Sequence, residues 1–209
     1  MSYLDQGQAA RQSRSARKGV LLTAIVTSIA LLVVSDSSWS DSHFLHETIE
    51  WCGIALIVVC IVGRTWCTLY IGGRKNHSLV TDGPYSISRN PLYLLSIVGA
   101  VGVGAQVGSM AIALVAGFIA WVVFVRTAMI EEASLQTIFG ASYRRYLAEV
   151  PRFLPRPSLW QDRVTVQVQP KLVVTTFTDA LVFLLAIPVA EGFEYLHAAG
   201  VLPTYFTVP

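Results

Sequence analysis

"IEWCGIALIVVCIVGRTWCTLYI" (Ile49–Ile71) decides the class of this fold. As a helix it meets the ~20 mostly apolar residues that a bilayer crossing requires. Glu50 and Arg64 are its only charged residues. The composition of the whole chain agrees. Of 209 residues, 54% are apolar and only 13% charged, about half the charged share of a soluble domain. A soluble protein of this size would lack the charge to cover its surface. The expectation is an all-α integral membrane protein of about five transmembrane helices, without a second domain.

Working outward, "VLLTAIVTSIALLVV" (Val20–Val34) lies upstream, and with its flanks predicts a span over 19–35. It follows "RQSRSARK" and so resembles a signal peptide, but no Ala-x-Ala site comes after it, and we read an uncleaved helix. Downstream, apolar runs predict spans over 92–105 and 109–126. "QVGS" (Gln106–Ser109) between them allows only an antiparallel hairpin. A run over 172–190 predicts a fifth span, interrupted by Asp179 and Pro188; a re-entrant or interfacial helix is its competitor. The remaining divisions are a basic cytoplasmic N-terminus (1–18), a core over 19–155 with a cytoplasmic helical segment at 127–155, a polar connector (156–171) and an outer tail (191–209).

Charge sets the orientation. With the N-terminus in the cytoplasm, the outer segments are Ser35–Thr48, Gln106–Ser109 and Glu191–Pro209, and none contains Lys or Arg. All 15 basic residues fall on the inner side or in the inner part of a span, which satisfies the positive-inside rule. The expected location is a bacterial inner membrane, with the bilayer as partner and no nucleic-acid partner. Cys52, Cys60 and Cys67 share one span without a Cys-x-x-Cys pair or a nearby histidine. They read as buried thiols, and no metal is expected.

The chemistry must lie in the two inner segments, because the outer loops are short and plain. In "HSLVTDGPYSISRNPLYLL" (His77–Leu95), Asp82-Gly83-Pro84 makes a tight turn, and Pro91 suits the first turn of the next helix. The turns fix Tyr85 and Arg89 at the membrane surface. Ordinary interfacial anchoring would use the same residue types. The second segment begins with Glu131-Glu132 where the fourth span leaves the bilayer. Its helix is expected to run to Phe139, break at Gly140 and resume until Pro151. A carboxylate pair at a membrane boundary needs water or a cationic partner.

These segments resemble the isoprenylcysteine carboxyl methyltransferase family and its bacterial members, which in turn resemble phospholipid N-methyltransferases. The resemblance rests on His77, Leu79, Val80, Thr81, Gly83, Pro84 and Tyr85, then Arg89, Pro91 and Tyr93. Glu131, Glu132, Phe139, Gly140, Tyr143 and Tyr146 follow after a hairpin, and then Val150-Pro151-Arg152-Phe153-Leu154-Pro155. It covers roughly Ile49 to Pro155. It implies a cytoplasmic-face pocket for S-adenosylmethionine, contacted by His77, Leu79, Val80, Tyr85, Arg89, Asn90, Pro91, Leu92, Tyr93 and Glu131. It also implies a lipophilic acceptor: an isoprenylcysteine-like carboxylate, a lipid amine or a hydrophobic thiol. Arg126, Arg152 and Glu132 are the implied catalytic set, with the arginines orienting an anionic acceptor. A glutamate can take the donor's ammonium, and an arginine or histidine its carboxylate. A gap between spans near Tyr93 and Trp121 is the expected route for a lipid tail.

Asn90 departs from the family pattern, which has histidine there. Asn donates a hydrogen bond but does not titrate near neutral pH. Binding survives if the family histidine only donates, and activity suffers if it must carry a proton. Arg64, deep in the second span, is either functional or a partner of Glu131 or Glu132. Two rival readings remain: a membrane sterol reductase using NADPH, which has a similar Arg-His-Pro-x-Tyr arrangement but usually more spans, and a non-enzymatic membrane protein or transporter.

Overall fold

The computed structural model describes residues 35–37, 43–74, 78–202 and 206–208. Among these, the helices are α1 (His43–Ile71), α2 (Pro84–Ile87), α3 (Pro91–Ala105), α4 (Met110–Glu149), α5 (Pro170–Leu181) and α6 (Ala186–Ala198). Short 3-10 turns occupy Pro157–Leu159 and Val182–Leu185. The only strands among the described residues are β1 (Ser35–Ser37) and β2 (Phe206–Val208), a parallel ribbon pairing Ser35 with Phe206 and Ser37 with Val208. Residues 1–34, which hold the N-terminal segment and all but the last residue of the expected first span, lie outside the described residues.

Among the described residues, three helical runs are long and apolar enough to cross a membrane: Phe44–Ile71, Met110–Glu149 and Pro170–His197. Pro91–Ala105 is a shorter apolar helix. Leu114, Phe118 and Ile130 on α4 and Val62 on α1 are all more than 60% exposed, so the outward faces offer apolar side chains where lipid would lie. The protein is an all-α integral membrane protein.

α3 sits between α1 and α4 and packs on both. Gly102 permits this. A Cβ there would fall 2.7 Å from the carbonyl oxygen of Gly53 on α1, so only glycine lets the backbones approach so closely. The glycine run over 99–105 thus serves packing within the chain. At the far end Gln106–Ser109 makes the hairpin, and Ser109 Oγ accepts from Ile112 N at 3.3 Å to cap α4. This end is called the hairpin end. The opposite end, where α1 finishes and α3 begins, is the site end.

Two boundaries differ from expectation and a third agrees. α1 begins at His43 rather than 49. α4 runs on past 126 to Glu149 across a kink at Gly140 (φ 54°, ψ −121°), the continuation through Phe139 and the break expected from the sequence. The last helical run continues past 190 to Ala198. Pro188, which lacks an N–H and clashes with the carbonyl four residues back, follows a stretch that tightens to 3-10 geometry at Val182–Leu185. That local change lets the run continue past Pro188.

The connector over 156–171 is more ordered than its polar composition suggests. Trp160 stacks on Trp66 of α1, with ring centroids 5.7 Å apart. Tyr70 donates its hydroxyl to Asp162 at 3.1 Å. The connector therefore folds back along the site end of α1 before α5 packs against it.

Candidate active site

At the site end the two inner segments form one unit. Gly83 has φ 56°, in the region favouring glycine, and its N–H donates to the carbonyl of Gln161 at 2.7 Å. Pro84 then starts α2. Past this short helix the loop pairs with the segment after α4: Arg89 N donates to Pro151 O at 2.9 Å, Asn90 N to Arg152 O at 3.2 Å, and Arg156 N to Ile87 O at 2.9 Å. The buried Ser88 adds its hydroxyl, donating to Phe153 O at 3.0 Å. Pro91 starts α3 at the position where a missing N–H has no cost. Asn90, the cap residue, makes no side-chain cap to α3, because its amide points elsewhere.

That amide points at Glu132. Asn90 Nδ2 donates to Glu132 Oε1 at 3.0 Å. Arg152 grips the same carboxylate with Nε at 3.2 Å and Nη2 at 2.8 Å. Arg89 Nε stands 3.6 Å from Oε1. Glu132 is only 6% exposed, so its charge is held by cationic and amide donors, as a buried carboxylate requires. The Asn90 contact needs a donor and no titration, which addresses the departure at this position: asparagine can make it.

Glu131 lies beside this cluster. Tyr93 donates its hydroxyl to Glu131 Oε2 at 2.5 Å, and the Tyr93 ring stacks on Phe124 with centroids 5.2 Å apart. Tyr85 is buried, and its hydroxyl has no hydrogen-bond partner among the described residues. Burial holds that phenol well above its ordinary range, and nearby Cys67, Tyr146, Glu131 and Tyr93 push it in the same direction. Arg89 Nε is likewise buried without a hydrogen bond. Two unsatisfied polar atoms thus sit near a carboxylate pair, an arrangement that suits a ligand carrying an ammonium and a carboxylate.

The structure places the expected residues unevenly. It brings together Arg89, Asn90, Glu132 and Arg152, with Tyr85, Tyr93 and Glu131 adjoining. Val80 is buried in a cluster with Cys67, Tyr70 and Tyr85, and Leu92 packs against the same cluster. Leu79 packs against Tyr143 and Tyr146. These three side chains are taken up in packing. Pro91 is buried as the first residue of α3. Arg126 is exposed and joins no ion pair among the described residues. His77 lies outside the described residues. Arg64 hydrogen-bonds to Ser96 Oγ. A cleft of about 230 Å3 beside the loop, lined by Thr81, Ser86, Arg145, Glu149 and Gln161 among others, was not foreseen.

A family model described as "Phospholipid methyltransferase" matches residues 49–142. The cobalt-zinc-cadmium resistance protein CzcN of Cupriavidus metallidurans is 33% identical over 92% of this chain and 88% of its own length. The nickel-cobalt-cadmium resistance protein NccN of Alcaligenes xylosoxydans is 31% identical over 92% of this chain and 90% of its own. The protein-S-isoprenylcysteine O-methyltransferase of Schizosaccharomyces pombe is 36% identical over 39% of this chain and 34% of its own length. No solved structure matches significantly. The chain belongs to one family with CzcN and NccN; its residues 49–142 match the phospholipid methyltransferase model, and isoprenylcysteine O-methyltransferases are among its relatives.

Proposed function

We propose that this protein is an S-adenosylmethionine-dependent methyltransferase acting at the cytoplasmic face of a bacterial inner membrane on a lipophilic acceptor, a carboxylate being the best fit. The observation that carries this reading is the junction of the loop over 78–91 with the segment beyond α4 around Glu132, with Glu131, Tyr93 and Tyr85 adjoining. S-adenosylmethionine would supply an electrophilic methyl group on a sulfonium. Glu131, oriented by Tyr93, would take its ammonium. Arg89 would take its carboxylate, and Tyr85 would pack against its adenine or sulfonium. Glu132 and Arg152, committed to each other and to Asn90, hold the two segments in register.

The chain's own contribution is position and dryness. Methyl transfer is an in-line displacement, so holding the acceptor oxygen behind the methyl carbon supplies most of the acceleration. The buried surroundings of Tyr85 and Glu132 would keep water away from the donor's charge. With Arg152 engaged by Glu132, the role of orienting an anionic acceptor falls to the exposed Arg126. The acceptor arrives across the apolar faces of α3 and α4, where Phe118 and Trp121 are exposed. CzcN and NccN are named for metal resistance, which supports a membrane component of metal-stressed bacteria as the acceptor.

The test is transfer of a labelled methyl from S-adenosylmethionine into the organic phase by purified protein, with a prenylated cysteine and a lipid amine offered separately. Label should enter the prenylated cysteine, and the Tyr85→Ala, Glu131→Ala double variant should abolish it. Tight NADPH binding with no binding of S-adenosylmethionine would reverse the reading in favour of a reductase.

A further inference from the structure

A second cluster lies at the hairpin end. His46, near the start of α1, and Glu50, one turn further on, share a helix face. Glu194 of α6 reaches the same point from 148 residues away. His46 Nε2 stands 3.3 Å from Glu50 Oε1 and 3.1 Å from Glu194 Oε1. One ligand atom from each of the three residues lies within 4.8 Å of the others. From His46 to Tyr70 at the site end, α1 rises about 36 Å, so this cluster is separate from the methyl-transfer site.

The arrangement is poorly explained by hydrogen bonding alone. A ring nitrogen carries at most one proton, yet two carboxylates face His46 Nε2. Glu191, one turn before Glu194 on α6, adds a further negative field at Glu50. No Lys or Arg occurs in Ser35–Thr48, Gln106–Ser109 or Glu191–Pro209 to balance these charges. His197, one turn beyond Glu194, has Nε2 buried without a hydrogen-bond partner among the described residues.

Metal coordination fits the distances. Ligands at ~2.1 Å around a tetrahedral ion stand roughly 3.4 Å from one another, close to both separations measured from Nε2. An imidazole nitrogen with two carboxylates suits Zn2+, Co2+ or Ni2+, whereas Ca2+ and Mg2+ take oxygen ligands throughout. We propose that His46, Glu50 and Glu194 form a binding site for one divalent transition-metal ion, which ties α6 to the start of α1.

The experiment uses full-length protein in detergent, stripped with chelator and titrated with Co2+ while its visible absorption is followed, then with Zn2+ in competition. The expected result is saturable binding of about one Co2+ with a band typical of low coordination number, displaced by Zn2+ and not by Ca2+. His46→Ala and Glu194→Gln should each weaken binding about ten-fold or more, with circular dichroism unchanged. If His46→Ala fails to fold, the near-isosteric Glu194→Gln decides. No saturable binding to the wild type, affinity unchanged in Glu194→Gln, or binding abolished by Cys52→Ser instead, would overturn the site. None of these readouts depends on methyl transfer.

Discussion

Tyr146 donates its hydroxyl to the backbone carbonyl of Tyr85 at 2.6 Å, joining residues 61 positions apart. Tyr146 lies on α4 beyond the Gly140 kink, and Tyr85 lies in the loop before α3. The bond fixes the backbone that carries Tyr85, whose ring is proposed to meet the cofactor, from the helix that also carries Glu131. Both partners are buried, so Tyr146→Phe should leave the Tyr85 carbonyl unsatisfied and cost about 1–3 kcal/mol. Chemical denaturation in detergent measures this. An unchanged midpoint would mean the bond does not hold the loop.

The buried Tyr85 phenol gives an alkaline signature. Burial raises its pKa in the folded state well above the ordinary value near 10. The folded protein therefore keeps a proton that the unfolded chain releases. The stabilisation is fully present below about pH 10 and is lost as pH rises from there toward the folded-state pKa. Melting temperature followed from pH 8 to pH 11 should fall above about pH 10, and Tyr85→Phe should flatten that fall. An equal fall in both proteins would contradict the assignment.

Glu132 should be the most stability-sensitive residue of the site. Removing its charge by Glu132→Gln leaves Arg152 and Arg89 without their common partner, at a cost of about 3–5 kcal/mol. Arg152→Ala should cost less, because the Arg152 side chain is 37% exposed and Asn90 and Arg89 still face the carboxylate. Thermal melts of the two variants give the order, and Arg152→Ala proving the worse of the two would refute it.

Gly83 is constrained twice. A Cβ there would meet the Tyr70 ring at 2.3 Å, and φ is 56°. Gly83→Ala should therefore shift the loop at a cost of about 1–3 kcal/mol and lower affinity for S-adenosylmethionine. Wild-type affinity in this variant would separate the loop conformation from the cofactor site.

Much of this was legible in the sequence, for physical reasons. Hydrophobic length marks a membrane helix strongly, so α1, the α3–α4 hairpin and the last helical run could be read directly. Turn chemistry at Asp82-Gly83-Pro84 and the break at Gly140 depend on local backbone preferences, and both were visible. What the sequence hid was pairing across long separations. The hold of Arg152 on Glu132 joins residues 20 positions apart. The packing of Leu79 on Tyr143 and Tyr146, and of Val80 and Leu92 beside Tyr85, joins still more distant segments. Arg126 lies exposed, and nothing in a linear pattern tells which face of α4 it occupies. The connector's attachment through Trp160 and Asp162, and the meeting of His46 with Glu194, likewise depend on contacts between distant segments.

The central claim is a donor-binding pocket completed by Glu131. Calorimetric titration of the purified protein with S-adenosylmethionine tests it most directly, comparing wild type with Glu131→Gln. Losing one charge-assisted contact of ~1.5–3 kcal/mol predicts one-site binding to the wild type and about 10- to 150-fold weaker binding to Glu131→Gln, with an unchanged helical spectrum. Equal affinity in the two proteins, or no binding to either, would contradict the account.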